Sequence, residues 1–153
     1  MAVAVKKIKL WRVEVENKPG VLAAALEPLA GAGADLQIVM GYRIPGTENK
    51  AAIEVFPVSG KKSKDAAGKA GLAESAIPTL LVEGDNKPGL GHTVAQAIAA
   101  AGINIAFFIA QVVGRRYSAV VGFESDPDAR KASAIIKKVT APRRAAKKAA
   151  RRK

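Results

Sequence analysis

The sequence contains the same tetrapeptide twice. Asn17-Lys18-Pro19-Gly20 reappears as Asn86-Lys87-Pro88-Gly89, 69 positions further along. In both copies alternating apolar residues precede the tetrapeptide, and a helix-forming run of small residues, a glycine and another apolar strand follow it. A period of this length accommodates one small α+β unit, so we expect two similar modules in tandem.

Local patterns predict the element order β-α-β-β-α for each copy. In the first copy the predicted elements lie at residues 7–16, 20–33, 36–42, 51–58 and 61–73. In the second they lie at 77–84, 89–101, 104–113, 116–124 and 128–139, with Asp126 as the predicted N-cap of the last helix. No strand pattern follows that helix. We therefore expect either that the strand at 76–84 serves both modules or that each module has lost its closing strand.

Composition excludes several classes of function. The chain has no cysteine, which excludes disulfides, thiol catalysis and Cys-type zinc sites. His92 is the sole histidine and has no clustered acids beside it in sequence, so we expect no metal and no cofactor. Acid–base pairs, nucleophile motifs and phosphate-binding fingerprints are absent from the sequence, and we expect no enzymatic activity. Without a long apolar run or a signal-peptide pattern, we expect a cytoplasmic protein that does not enter membranes.

The net charge of +12 is concentrated at the C-terminus. Seven cations lie in the last eleven residues, and no acid follows Asp128. We expect residues 140–153 to form a disordered basic tail, because they offer almost nothing to bury. Such a tail either keeps the protein soluble or binds nucleic acid without sequence preference. The cations concerned are Arg143, Arg144, Lys147, Lys148, Arg151, Arg152 and Lys153.

The strand predicted at 104–113 is apolar on both faces. Ile105, Phe107 and Ile109 share one parity, and Ala106, Phe108 and Ala110 share the other. Something must cover the outer face, either the other module or a second chain. We expect a homodimer.

The duplicated segments resemble the ACT domain family. Residues 17–23 and 85–90, each followed by a helix and by Gly-Ala-Asp-Leu or Gly-Ile-Asn-Ile, are similar to the family's ligand-binding loop and strand entry. The resemblance spans about residues 7–139 and is greatest to stand-alone proteins made of two ACT modules. It implies a fold of class α+β, with two ferredoxin-like βαββα(β) modules at 7–75 and 76–139. Each module would have an antiparallel sheet with helices on one face.

The resemblance also implies a site for a small effector, typically an amino acid, where two modules meet. Carried over residue by residue, it places ligand-binding positions in both copies. In the first copy they are Asn17, Lys18, Pro19, Gly20, Val21, Asp35 and Leu36. In the second copy, which matches the family pattern better, they are Asn86, Lys87, Pro88, Gly89, Leu90, Asn104 and Ile105.

The residues themselves are compatible with this site. Gly20 and Gly89 carry no side chain, so a carboxylate can approach the amides at the start of the following helix. Asp35 or Asn104 could accept from an α-ammonium group, and Gly91 opens the second loop further. Without the resemblance, Pro-Gly at these positions is more simply a turn that starts a helix. We expect a non-enzymatic sensor of an amino acid. The alternatives are a nucleic-acid-associated protein that binds through its tail, and an accessory subunit of a biosynthetic enzyme.

Overall fold

A computed structural model describes residues 3–141 of the chain. The eight strands are β1 (Ala4–Ile8), β2 (Trp11–Glu16), β3 (Ile38–Arg43), β4 (Lys50–Phe56), β5 (Ala73–Glu74), β6 (Thr79–Asp85), β7 (Ile105–Val113) and β8 (Arg116–Phe123). The four helices are α1 (Val21–Gly31), α2 (Gly60–Lys69), α3 (Leu90–Ala100) and α4 (Asp126–Val139). The predicted basic residues of the tail, from Arg143 to Lys153, lie outside the described residues.

The chain divides into two compact units, each built on one antiparallel four-stranded sheet. The first-copy unit comprises residues 9–76, with strand order β3-β4-β2-β5. The second-copy unit comprises residues 3–8 and 77–141, with strand order β1-β6-β8-β7. Strand 1 of each unit can be defined as the strand that precedes the tetrapeptide, β2 in one unit and β6 in the other. With β5 and β1 counted as the fourth strands, both sheets have the order 2-3-1-4. The fold class is the predicted one, α+β with ferredoxin-like sheets.

The closing strands were predicted wrongly, because each sheet does have one. In the first-copy unit β5 pairs with β2 over only two residues, Ala73 and Glu74. In the second-copy unit the closing strand is β1, which precedes the whole first copy and pairs antiparallel with β6 from Ala4↔Glu83 to Ile8↔Thr79. The strand predicted over residues 7–16 is therefore two strands in different sheets, separated at Lys9 and Leu10.

Both helices of each unit pack on the same face of its sheet. The second-copy core joins Val94 and Ile98 of α3 to apolar residues of α4, β6 and β8. The first-copy core joins Ala25 and Leu29 of α1 to Ala66 and Ala67 of α2, over the alternating residues of β2 and β4. Apolar residues recur every second position in the strands and every three to four positions in the helices, so each element buries one face in this arrangement, as the sequence patterns predict.

The start of α4 differs in detail from the prediction. Ser125, not Asp126, is the N-cap residue, and its hydroxyl accepts a hydrogen bond from the backbone N–H of Asp128 at 3.2 Å. Asp126 and Asp128 lie in the first turn, where their charges favour the positive end of the helix. No helix within residues 3–141 is long and apolar enough to cross a membrane.

Candidate ligand-binding site

A cavity of about 360 Å³ lies beside the second copy of the tetrapeptide, within the second-copy unit. It is bounded by the turn between β6 and α3, by the start of α3 and by the helix-facing sides of β6, β8 and β7. The lining residues are Val82, Asn86, Lys87, Pro88, Gly89, Leu90, Gly91, Val94, Phe108, Ala110, Gln111, Val112, Tyr117, Ala119 and Val121. The volume falls at the lower end of the range for small-molecule sites, which suits a ligand of a few heavy atoms.

The turn beside this cavity starts a helix, and the helix start carries backbone amides. Gly89 is the N-cap of α3 and has φ +81°, a left-handed backbone conformation that residues other than glycine rarely adopt. Thr93 N–H makes the first helical bond, to Gly89 O at 3.0 Å, and Leu90 N–H donates to Lys87 O at 3.2 Å. No side chain caps the helix. Helix geometry therefore leaves the N–H groups of Gly91 and His92 without an acceptor inside α3, and these groups favour an anion.

The cavity walls are apolar, and their few polar groups are unevenly charged. Phe108, Ala110 and Val112 of β7 form one wall, opposite the first turns of α3. Asn86, Lys87, Gln111 and Tyr117 are the polar side chains of the lining, and Lys87 is the only charged one. The electrostatics of the lining are thus positive, from one ammonium group and the helix N-terminus together.

Tyr117 is the most buried polar residue of the lining, at 7% exposure. Its hydroxyl has no hydrogen-bond partner among residues 3–141. The ring lies across Gly84, where an added Cβ would be 3.1 Å from Tyr117 Cε1. Burial raises the pKa of the Tyr117 phenol, and the charge of Arg116 partly opposes this effect.

The other two second-copy positions lie away from the cavity. Asn104 and Ile105 are not among the lining residues. The Asn104 side chain donates from Nδ2 to Glu124 Oε1 at 2.8 Å. Ile105 is partly buried against the core of the unit. The structure therefore brings Asn86 through Leu90 together around one space and leaves the strand entry outside it.

The first copy has a leucine at the position where the second copy has Gly91 beside its cavity. Leu22 occupies the place that Gly91 has in the second copy, and Gly41 occupies that of Ala110. An added Cβ on Gly41 would be 3.6 Å from Leu22 Cδ1, so the leucine side chain lies over β3. At Gly91, in contrast, an added Cβ meets nothing within 4 Å. In the first copy the Leu22 side chain thus lies, 40% exposed, where the second copy has no side chain.

The remaining first-copy positions have local partners. Asn17 Nδ2 donates to Glu48 O at 3.2 Å, and Lys18 Nζ lies 3.2 Å from Glu16 Oε2. Gly20 is the N-cap of α1 with φ +90°, and Val21 is the first helical residue. Asp35 is exposed, and Leu36 packs against the core of its unit. In the first copy these residues form a helix-starting turn.

Sequence patterns did not reveal the β7 wall or Tyr117 as cavity residues. Phe108, Ala110 and Val112 read as an ordinary apolar strand, and their place opposite α3 depends on the pairing of β7 with β8. The constant spacing of 69 positions between the copies does align Leu22 with Gly91 and Gly41 with Ala110. This alignment shows from the sequence that the two copies differ in side-chain size at these positions.

The first-copy unit contains a separate buried polar cluster. Glu54 is fully buried, and its Oε2 accepts a hydrogen bond from Tyr42 Oη at 2.8 Å. Arg12 Nε lies 3.9 Å from Glu54 Oε1, and Arg12 Nη1 donates to Glu14 Oε1 at 2.8 Å. Burial, reinforced by the hydrogen bond to Glu54, raises the pKa of Tyr42. The hydrogen bond from Arg12 lowers the pKa of Glu14.

Among residues 3–141 there is no cluster of three or more His, Asp or Glu side chains that could hold a metal ion.

Comparison with known proteins shows a likeness in fold. No family model and no curated protein matches the sequence. Protein BT0572 from Bacteroides thetaiotaomicron is similar, with a TM-score of 0.68 and 16% identity over 84% of this chain and 87% of that one. The regulatory subunit of aspartate kinase from Thermus thermophilus has a TM-score of 0.61 and 18% identity over 92% and 98%. A putative C-terminal regulatory domain of aspartate kinase from Porphyromonas gingivalis has a TM-score of 0.57 and 12% identity over 92% and 97%. The chain therefore shares an ACT-like α+β fold with these proteins.

Proposed function

We propose that the protein is a non-catalytic regulatory protein that binds a small carboxylate effector, an amino acid, in the second-copy cavity. The observation that carries the proposal is that five consecutive residues of the repeated turn, Asn86 through Leu90, line one open cavity at the start of a helix. A regulatory role is also what the names of two fold neighbours indicate for those proteins. The effector would act by stabilising one arrangement of the protein over another.

The chemistry of the lining orients such a ligand. The carboxylate would meet the N–H groups of Gly91 and His92 and the ammonium group of Lys87. The apolar part of the ligand would lie against Phe108 and Val112. Since the lining contains no acidic side chain, the α-ammonium group would donate to the amide oxygens of Asn86 and Gln111.

The proposal gives each chain one site. Leu22 fills the equivalent space of the first copy, so Asn17 through Val21 serve as a turn there and do not bind. The dimensions of the second site depend on Gly91. A single substitution at this position therefore tests the site without touching the core, since an added Cβ at Gly91 meets nothing within 4 Å.

A thermal-shift screen of the twenty amino acids tests the proposal. A ligand present at a hundredfold excess over its Kd should raise the free energy of unfolding by about 2.7 kcal/mol. Gly91→Leu should abolish this stabilisation, because the leucine would fill the cavity as Leu22 does in the first copy. Gly68→Leu is the matched control, since Gly68 is also a helical glycine with nothing within 4 Å of an added Cβ.

Two outcomes would count against the proposal in different ways. An unchanged ligand effect in Gly91→Leu would contradict the location of the site. A screen in which no amino acid stabilises the protein, while apolar carboxylates without an ammonium group do, would contradict the effector class and leave the site in place.

We further propose that the protein is a homodimer that pairs through β7. This strand forms one edge of its sheet and carries four exposed large apolar residues, from Phe108 at 37% to Val113 at 71% exposure. None of its nine residues is charged. An unprotected edge of this kind is a template for pairing with another strand. The opposite edge, β1, carries Lys6 and Lys7 and is only five residues long.

A further inference from the structure

Beyond effector binding, we propose that the exposed face of α4 is a docking surface for the phosphate backbone of double-stranded nucleic acid, in particular DNA. Four cations lie on this face, all exposed: Arg130, Lys131, Lys137 and Lys138. We call them the α4 cation face. The two pairs are seven residues apart, which is two helical turns, so they point the same way about 10 Å apart along the helix.

The α4 cation face is not accounted for by interactions within the unit. None of the ion pairs found among residues 3–141 involves any of its four residues. Lys137 and Lys138 lie in the last turn, where they complement the negative end of the helix. That interaction does not apply to Arg130 and Lys131, which lie in the first half of α4. A structural role in helix stability therefore explains only half of the face.

The sequence continues the same pattern beyond α4. From Ala129 to Lys153 the chain has eleven cations and no acid, mostly in adjacent pairs. The doublets thus begin within the folded unit, on a helix whose position is fixed by its packing, and not at the end of the fold. A sequence this rich in cations suits a polyphosphate chain, which releases counterions when lysine and arginine neutralise it.

The surroundings of the α4 cation face favour duplex nucleic acid over other anionic partners. A membrane-binding helix would need a free apolar face, but Ala129, Ala132 and Ile136 of α4 are buried in the core of the unit. Binding of single strands relies on stacking against aromatic side chains, and residues 129–153 contain none. The same stretch contains no Asn or Gln for bidentate contacts to adenine. The expected contacts are with phosphates, which carry no base-sequence information.

Fluorescence anisotropy with two 20-bp duplex DNAs of unrelated sequence, at several salt concentrations between 50 and 200 mM, tests the proposal on the full chain. Both duplexes should bind equally. Lys137→Gln combined with Lys138→Gln should weaken binding roughly tenfold at the lowest salt concentration and reduce the salt slope by about 2. Lys61→Gln combined with Lys62→Gln is the control, because it removes the same charge from exposed residues of α2. It should leave both quantities unchanged.

Each other result overturns the proposal. Equal losses in the two double variants would show that net charge alone determines binding. Unchanged binding by the α4 double variant, with its melting temperature preserved, would assign binding to the tail alone. Stronger binding to phosphatidylserine vesicles or to single-stranded RNA than to the duplexes would identify a different partner, and no binding to any of them would leave the α4 cation face a solvated surface.

Discussion

At the scale of single residues, two tyrosine hydroxyls have opposite energetic roles. Tyr42 donates a hydrogen bond to the buried carboxylate of Glu54, whereas the Tyr117 hydroxyl has no partner among residues 3–141. A buried polar group without a partner costs free energy, and a buried acceptor that loses its donor costs more. The identical substitution at the two positions should therefore change stability in opposite directions.

Tyr117→Phe should raise the free energy of unfolding by about 1 kcal/mol, because it removes an unpaired buried hydroxyl and keeps the ring. Tyr42→Phe should lower it by about 1–3 kcal/mol, because Glu54 Oε2 loses its donor. Urea denaturation of both variants measures the two changes. A loss of stability in Tyr117→Phe would show that its hydroxyl has a partner in solution.

The pKa of Tyr117 predicts a pH dependence with a definite sign. Burial raises the pKa of Tyr117 above the ordinary value near 10, so the unfolded chain ionises first as the pH rises. The stability associated with this group is fully present below pH 10 and is lost as the pH rises towards the raised pKa. The alkaline loss of stability should be smaller in Tyr117→Phe than in the parent chain. Melting temperatures between pH 8 and 11 provide the check, and parallel curves for the two proteins would contradict it.

Part of the candidate site could be predicted from single residues of the sequence. The repeat identifies the turn and, through the Leu22/Gly91 pair, the copy with free space. It could not show that β7 completes the cavity, because a strand's neighbours across a unit are fixed by tertiary pairing and leave no local pattern. The sequence also could not predict that the Asn104 side chain lies outside the cavity, because its hydrogen bond to Glu124 depends on the turn after β8.

At the scale of elements, sequence patterns missed β5 and misassigned β1, for two different reasons. β5 has two residues, too few to show any alternation. β1 has a readable pattern, but its partner β6 is more than seventy residues away along the chain, so the pattern says nothing of which sheet it joins. Long elements with full periodicity, such as α4 and β8, were placed to within two residues.

The edge strand β7 yields a prediction on assembly. Ile109→Lys combined with Val113→Lys should convert the proposed dimer to a monomer, because edge lysines block strand pairing. Neither residue lines the cavity. Val39→Lys is the control, since Val39 is 44% exposed on β3, the corresponding edge strand of the other sheet. Sedimentation velocity of the three proteins measures the result. A monomeric parent chain, or a dimeric double variant, would contradict pairing through β7.

At the scale of the whole molecule, one unit is built from two segments that are far apart in the sequence. Residues 3–8 belong with 77–141, although the entire first-copy unit lies between them in sequence. Val5 of β1 packs against the core of the second-copy unit, and Val13 of β2 packs against that of the first. These two partly buried valines, eight positions apart, should therefore report on different units.

A charged residue at each position tests this division. Val5→Asp should accelerate amide hydrogen exchange in β6 and β8, and Val13→Asp should do so in β2 and β4, each through about 1–3 kcal/mol of lost local stability. Exchange followed by mass spectrometry resolves the two sets of strands. If Val5→Asp loosened β2 and β4 to the same extent as β6 and β8, β1 would not belong to the second-copy unit alone.

An NMR titration can locate the effector site on the protein. Each of the twenty amino acids is titrated into the ¹⁵N-labelled protein while the backbone amide resonances are followed. We predict that one of them shifts the resonances of residues 86–92 and 108–112 and saturates at one equivalent per chain. Shifts centred on residues 17–22, or no saturable shift with any amino acid, would contradict the claim that the second turn forms the effector site.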